Sequence, residues 1–163
     1  MLCDLSSVLN NDGAVLKISG GVELSETQSF GVNFPEGVEV SGEIRCRKDV
    51  LELSAQVSGT FKTECARCLK ELSFPLSFDF CETLAQDGES VTDKDSVIIF
   101  SGYVIDISDI VESNVLLNLS SKYVCSEDCK GICPKCGANL NETTCSCEDD
   151  EIDPRWEKLK NFK

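Results

Sequence analysis

Hydrophobic and polar residues alternate with a period of two along three consecutive stretches of the chain. These stretches are residues 38–46, 51–61 and 72–80, and each carries apolar or small side chains at every second position. A period of two is typical of a β-strand with one buried face and one solvent-facing face. Residues 48–49 fit the turn of a hairpin between the first two stretches. The pattern therefore predicts an antiparallel sheet.

Further segments predict additional strands and short helices around this sheet. Residues 14–24 and 96–105 have extended patterns, whereas 4–9 and 106–119 show apolar residues at helical spacing behind an aspartate that can cap a helix. The polar and acidic segment 85–95 predicts a loop. We expect an α+β fold, with an antiparallel, barrel-like β-sheet and short flanking helices.

The composition changes from residue 120 onward to cysteine, glycine and small polar residues. Burial of apolar side chains cannot order residues 122–148, but a bound metal ion can. Asp153-Pro154 then begins a predicted tail helix. The expected organisation is a sheet domain at residues 1–119, followed at 120–163 by a Cys-rich, zinc-stabilised C-terminal lobe with a basic tail helix.

The numbers of cysteine and histidine residues limit which metal sites and catalytic sites the chain can form. Eight of the 11 cysteines fall in close pairs, and with no secretory leader this spacing favours metal over disulfides. The chain has no histidine, which excludes Ser-His-Asp and Cys-His nucleophiles and His-ligated zinc. No apolar stretch reaches membrane-spanning length, and no phosphate-binding glycine loop is present. We therefore expect a cytoplasmic protein without a membrane or small-molecule partner, and the enzymatic activity that stays open is mostly thiol redox chemistry.

The paired cysteines have the spacing of structural zinc sites. Zinc is held by four thiolates in a tetrahedron, and a Cys-x-x-Cys turn supplies two of them. The eight cysteines can be divided between two such sites in two ways. One partition is local, and the other joins the two Cys-x-x-Cys turns, Cys65/Cys68 and Cys133/Cys136, in one site. The lower entropy cost of closing a short loop favours the local one, with two zinc ions per chain and one as the fallback. Its two sites are Cys65, Cys68, Cys125 and Cys129, and Cys133, Cys136, Cys145 and Cys147.

Thiol–disulfide redox chemistry is the alternative use of Cys65 and Cys68. Arg67 lies between them and could lower a thiol pKa. Redox pairs normally begin a helix after a parallel strand, whereas this pair lies between two predicted strands that alternate in polarity. Metal binding is therefore favoured, and Arg67 is expected to donate to a sulfur or a carboxylate at the site.

The motifs together resemble a bacterial family. Cys-Ala-Arg-Cys-Leu at 65–69, the cysteine-rich segment 125–141, Cys-Ser-Cys at 145–147 and Asp-Pro-Arg-Trp at 153–156 are similar to the YceD family, also called domain of unknown function 177. The resemblance implies a role in accumulation of the 23S ribosomal RNA of the large subunit, without catalytic activity. It also implies variation in the number of C-terminal cysteines.

Charge sets limits on how such a protein contacts a partner. The net charge is −14, and two zinc–thiolate clusters lower it to about −18. A body of this charge is repelled by phosphates at long range. Basic residues nevertheless cluster near the cysteines and in the tail, where they either contact a partner or balance the thiolates. The candidate contacts to 23S rRNA, a pre-50S particle or a basic ribosomal protein are Arg67, Lys130, Lys135, Arg155, Lys158 and Lys160. A purely structural interaction module stays open.

Overall fold

A computed structural model of the chain describes residues 1–47, 50–87 and 97–147. The strands in these residues are β1 Leu2–Asp4, β2 Val15–Val22, β3 Val32–Asn33, β4 Val38–Arg47, β5 Val50–Glu64, β6 Glu71–Gln86, β7 Val97–Phe100 and β8 Val104–Asp106. A 3₁₀ helix, Glu26–Phe30, and one α-helix, α1 Ser108–Asn118, complete the elements of the described residues. The predicted turn at 48–49 and the predicted tail helix lie outside them.

The main sheet has the strand order β2-β4-β5-β6-β7, with β3 added at one end of β5. The register is uninterrupted, so that Arg47 lies opposite Val50 and Glu64 lies opposite Glu71. The long strands β5 and β6 curl into a half-barrel, which confirms the barrel-like sheet. Within the described sheet, β7 departs from antiparallel pairing, because it runs parallel to the end of β6.

The core lies between the concave face of the half-barrel and helix α1. Ile44 and Leu53 of the sheet and Ile107, Val111 and Val115 of the helix segment are fully buried. Each such side chain contributes about 1.5–3 kcal/mol to folding. The helix predicted from the apolar spacing of residues 106–119 is thereby confirmed, with the bounds Ser108–Asn118. No helix in the described ranges has both the length and the apolar character needed to cross a membrane.

The N-terminal segment differs from its prediction as a short helix. Residues 2–4 form β1, which pairs with β8. The following segment makes a single turn, in which the N–H groups of Val8 and Leu9 donate to the Leu5 carbonyl at 3.0 and 2.9 Å. Leu5 and Val8 are buried in the core. Their helical spacing therefore reflects one buried turn and not a helix.

Candidate metal centres

The first cluster of four thiols lies where β5 turns into β6. Cys65 and Cys68 come from this turn, and Cys125 and Cys129 come from the segment after α1. All four sulfurs lie within 4.8 Å of one another, with Cys65 to Cys129 at 3.9 Å and Cys68 to Cys125 at 3.7 Å. A tetrahedron with Zn–S bonds of about 2.3 Å has edges of about 3.8 Å. The donor set thus fits one tetrahedral ion.

The turn that carries Cys65 and Cys68 is closed by its own backbone. The Cys65 N–H donates to the Lys70 carbonyl at 2.8 Å, and the Leu69 N–H donates to the Cys65 carbonyl at 2.9 Å. Leu69 has a φ of 59°, a left-handed conformation that costs a non-glycine residue roughly 1–2 kcal/mol. No sequence signal marked this residue. It stands directly after Cys68, within the turn that the hydrogen bond between Cys65 and Lys70 closes.

The backbone around the first cluster stabilises thiolates. Burial raises the pKa of the Cys65 thiol, but three backbone N–H groups that point at the sulfur bring its pKa down to about 6. These donors belong to Arg67, Cys68 and Cys125. For Cys68 the Lys70 N–H lowers the pKa, while burial and the neighbouring sulfurs raise it to about 12. Four thiols this close repel one another as thiolates, so they cannot all ionise unless a cation lies between them. A bound metal ion would supply that positive charge.

Asn141 supports the first cluster from a neighbouring loop. Its side-chain amide donates to the Cys129 sulfur at 3.4 Å, and its Oδ1 accepts from the Lys130 N–H at 2.8 Å. Groups in this position orient a ligand and tune its charge. Sequence reasoning missed Asn141. Its signal was its place in the Gly-Ala-Asn-Leu-Asn segment that directly follows a Cys-x-x-Cys turn.

The second cluster lies in the 133–147 loop and is more open. Its four sulfurs, from Cys133, Cys136, Cys145 and Cys147, also lie within 4.8 Å of one another. The Gly137 N–H donates to the Cys133 carbonyl at 2.9 Å, with Gly137 at the positive φ of 73° that a tight turn requires. Cys133 is buried, whereas Cys136 and Cys147 are exposed.

Backbone donors also act on the second cluster. The N–H groups of Cys136 and Lys135 lower the pKa of the Cys133 thiol to about 6, against the opposing effect of burial. Neighbouring sulfurs and burial raise the pKa of Cys147 to about 12. In this cluster the backbone lowers the pKa of the Cys133 thiol, whereas in the first cluster backbone N–H groups act on both Cys65 and Cys129, against the opposing effect of burial. The other thiols of the second cluster need a cation to ionise beside Cys133.

The structure groups the eight predicted cysteines as in the local partition. Neither cluster joins Cys65/Cys68 to Cys133/Cys136, as the competing partition required. The three remaining cysteines take no part in the two clusters: Cys3 and Cys46 are buried in the core and Cys81 is exposed on the sheet. Metal ligation by the eight stays a prediction.

Arg67 joins the first cluster to the C-terminal lobe, by contacts other than those predicted. Among the described residues, its Nη1 donates to the backbone carbonyls of Glu127 and Cys129, each at 2.9 Å, and to no sulfur or carboxylate. Its own carbonyl accepts from the Ile132 N–H at 3.1 Å. Gly131, at a φ of 77°, passes so close that a Cβ would lie 2.9 Å from this carbonyl oxygen. Both the side chain and the carbonyl of Arg67 therefore hold the turn against the lobe.

Tyr123 provides an apolar contact between the lobe and the sheet. Its ring centroid lies 5.2 Å from that of Phe61 and 5.3 Å from that of Phe74. Its carbonyl accepts from the Ala66 N–H at 2.9 Å, beside the first cluster. Sequence reasoning missed this residue, because it stands alone in a polar segment. It extends the hydrophobic core to the base of the lobe.

The predicted basic contact residues are only partly within the described chain. Arg67, Lys130 and Lys135 are exposed on the segments that form the two clusters. Arg67 also has the structural role given above. The three tail residues of the prediction, Arg155, Lys158 and Lys160, lie outside the described residues.

Comparison with known proteins gives relatives among bacteria and plants. An uncharacterised protein of Mycobacterium tuberculosis is 33% identical over 99 residues, which cover 59% of this chain and 47% of the relative. An uncharacterised protein of Bacillus subtilis is 25% identical over 126 residues, or 77% and 73% of the two chains. The chloroplastic large ribosomal RNA subunit accumulation protein YCED homolog 1 of Arabidopsis thaliana is 41% identical over 59 residues, or 36% and 18%. No solved structure matches the chain significantly.

A family model covers most of the chain, including all four cysteine pairs. The chain spans about half the length of the mycobacterial relative. The model that matches residues 53–163 is described as large ribosomal RNA subunit accumulation protein YceD. Since the match extends over more than half of the sequence, the chain belongs to the YceD family.

Proposed function

We propose that this protein is a non-enzymatic, zinc-binding factor of large-subunit biogenesis that promotes accumulation of 23S ribosomal RNA in the cytoplasm. The observation that carries the proposal is the pair of four-thiol clusters, each with the dimensions of a tetrahedral thiolate site. The family description supplies the connection to large-subunit ribosomal RNA.

Zinc suits the sulfur ligands of both clusters better than calcium or magnesium does. Four thiolates at tetrahedral distances favour zinc or an iron–sulfur centre over calcium or magnesium, which prefer oxygen ligands. All four positions of each tetrahedron are filled by protein sulfurs, so no position is left for a water or a substrate. The sites therefore act by ordering the lobe, with Cys65, Cys68, Cys125 and Cys129 holding one ion and the 133–147 loop the other.

Thiol redox activity at Cys65 and Cys68 is the alternative, and the geometry argues against it. A redox-active thiol must be reached by its disulfide partner. Cys65 is fully buried and Cys68 is 8% exposed. Both also face two further sulfurs across the cluster, as expected for ligands.

The partner is proposed to be a pre-50S particle, contacted through the lobe and its basic residues. The exposed side chains of Arg67, Lys130 and Lys135 would contact RNA phosphates or a ribosomal protein, together with Arg155, Lys158 and Lys160. A basic ribosomal protein received by the acidic body is the second route, because the net charge of −14 disfavours extensive RNA binding.

Co-purification tests the proposed function. Tagged protein from a bacterial host should sediment with pre-50S particles at low salt and less so at high salt, because phosphate contacts weaken as salt rises. The level of 23S rRNA should fall in cells that lack the protein. Absence from these particles at every salt concentration, with unchanged 23S rRNA, would remove the proposal.

A further inference from the structure

Strand β6 has an open edge over most of its length. On one side it pairs with β5 along residues 71–84, whereas on the other side β7 pairs with residues 83–86 alone. In the part of the chain that the structure describes, no other strand lies beside residues 71–82. The side chains at every second position of this segment, from Glu71 to Cys81, are exposed. An edge of this kind offers backbone donors and acceptors to an added strand.

The backbone groups of the odd-numbered residues point outward from this edge. The Cys65 N–H donates to the Lys70 carbonyl at 2.8 Å, in register with the β5–β6 ladder. Because hydrogen-bonded pairs alternate in an antiparallel ladder, the even-numbered residues of β6 point their N–H and C=O groups at β5. On the other side, the Asp87 N–H donates to the Phe100 carbonyl at 2.8 Å, as expected for an odd-numbered residue. The odd-numbered backbone groups of residues 71–82 therefore have no strand partner among the described residues.

Pro75 limits the usable part of this edge. Its position costs no hydrogen bond to β5, because an odd-numbered residue points its nitrogen outward, but it has no N–H to offer to an added strand. The residues after it that have an outward N–H group are Ser77, Asp79 and Cys81. We call residues 77–81 the β6 edge.

The two faces of the β6 edge differ in polarity. On the inner face, Phe78 and Phe80 are only half-buried, and their ring centroids lie 6.4 Å apart. On the outer face, Asp79 is exposed and has no ion-pair partner among the described residues. Glu52 of β5 lies on this outer face too, where it accepts from the Cys81 thiol at 3.2 Å. An added strand therefore meets apolar surface on one face and negative charge on the other.

We propose that the β6 edge binds an extended segment of a basic partner protein by strand addition. The outward backbone groups select an extended conformation. Phe78 and Phe80 select apolar residues at every second position of that segment, and Asp79 selects lysine or arginine between them. RNA does not fit this edge, because β6 has no basic side chain to contact phosphates.

A second copy of the chain fits the β6 edge less well than a basic segment. Antiparallel pairing that uses residues 77–81 of both copies places Asp79 opposite Asp79, and like charges directly opposite destabilise a sheet. Two bodies with a net charge of −14 also repel each other. The proposal rests on the second route of the proposed function, in which the acidic body receives a basic ribosomal protein, and it names the surface and the bound conformation.

Hydrogen exchange resolved by NMR at single amides tests strand addition on the purified, metal-loaded, full-length protein. The probe is a soluble peptide that alternates lysine and valine. In the free protein, the outward amides of Ser77, Asp79 and Cys81 should exchange fast. The amides of Phe78 and Phe80, bonded to β5, should exchange slowly. The peptide should slow the three outward amides several-fold, and a peptide with glutamate in place of lysine should not.

Two variants separate the backbone contribution from the charge. Ser77→Pro removes one outward N–H group, as Pro75 does in the native chain, and leaves the hydrogen bonds to β5 in place. Asp79→Lys reverses the charge on the outer face. Each should weaken peptide binding several-fold, measured by fluorescence anisotropy of the labelled peptide. Glu36→Lys is the matched control, because it makes the same charge change at an exposed residue of the β3–β4 turn, and it should bind as the unsubstituted protein does.

Three outcomes would overturn the proposal. The first is outward amides that are already protected without peptide, by a second copy if the protection depends on protein concentration and by the chain itself if it does not. The second is a peptide that leaves these amides unchanged, and the third is binding that survives both variants. If Ser77→Pro does not fold, Asp79→Lys and the exchange pattern of the unsubstituted protein decide. Since no ribosomal particle is present, co-purification with pre-50S particles stays a separate test of the proposed function.

Discussion

Replacing Cys65 with serine is expected to destabilise both the lobe and the sheet. Cys65 is fully buried at the end of β5, and its cluster joins the β5–β6 turn to Cys125 and Cys129. Serine removes one of the four thiolates, so binding of the ion is weakened or lost, and the buried thiols of Cys68 and Cys129 are left without it. Loss of a structural metal is among the few changes that exceed about 4 kcal/mol in the free energy of unfolding. Segment-resolved hydrogen exchange should show faster exchange in β5, β6 and residues 122–147.

Cys133→Ser provides the contrast. Its cluster closes only the 133–147 loop, so hydrogen exchange should rise in that loop while β5 and β6 stay protected. Cys81→Ser is the control for serine substitution, because Cys81 is exposed and outside both clusters. If Cys133→Ser exposes the sheet as strongly as Cys65→Ser, the two clusters do not have the separate roles assigned here.

Charge reversal at the lobe and tail is expected to reduce association with pre-50S particles several-fold at low salt. The variant combines Lys130→Glu and Lys135→Glu with Lys158→Glu and Lys160→Glu. Each phosphate contact that is lost should also reduce the dependence of log affinity on log salt by about 0.7–0.9. Sedimentation with pre-50S particles over a salt series measures both effects. Metal content and sheet protection should not change, since the Lys130 and Lys135 side chains are exposed.

The matched control for this prediction uses two basic residues of the sheet. Lys17→Glu with Arg47→Glu changes the net charge by the same amount as Lys130→Glu with Lys135→Glu. Both control residues are exposed, and Arg47 lies opposite Val50, at the other end of β5 from the first cluster. Equal loss in the two pairs would indicate a general charge effect. Unchanged association in the four-site variant would dismiss the basic surface and leave the acidic body as the contact to test.

The alternating pattern predicted the sheet well because burial of one face determines both the period and the register. Val40, Ile44, Leu53 and Val57 are buried where the pattern placed them. The N-terminal segment could not be predicted in this way. Leu5 and Val8 fit a helix by spacing, but β1 pairs with β8, about a hundred residues away along the chain. Such pairing depends on tertiary contacts that a local pattern does not contain.

The spacing of the cysteines predicted metal binding at the candidate site. The lower entropy cost of closing short loops favoured the local partition of the eight cysteines, which is the grouping in the structure. The contacts around the clusters were not predictable in the same way. Arg67 donates to carbonyls about sixty residues away, and Tyr123 packs on Phe61 and Phe74. These contacts exist only once the lobe lies against the sheet. The proposed division at residues 119 and 120 stays a prediction, and Tyr123 gives the two parts a shared apolar contact.

Metal content of the purified protein tests the central claim most directly. Protein prepared without added metal, and analysed by elemental mass spectrometry against an amino-acid-based protein concentration, should contain two zinc ions per chain, or one if the more open second cluster loses its ion. The eight cluster thiols should be unreactive until a chelator or denaturant releases the zinc. An absence of metal, the visible absorbance of an iron–sulfur centre, or disulfides among these eight cysteines would contradict the account.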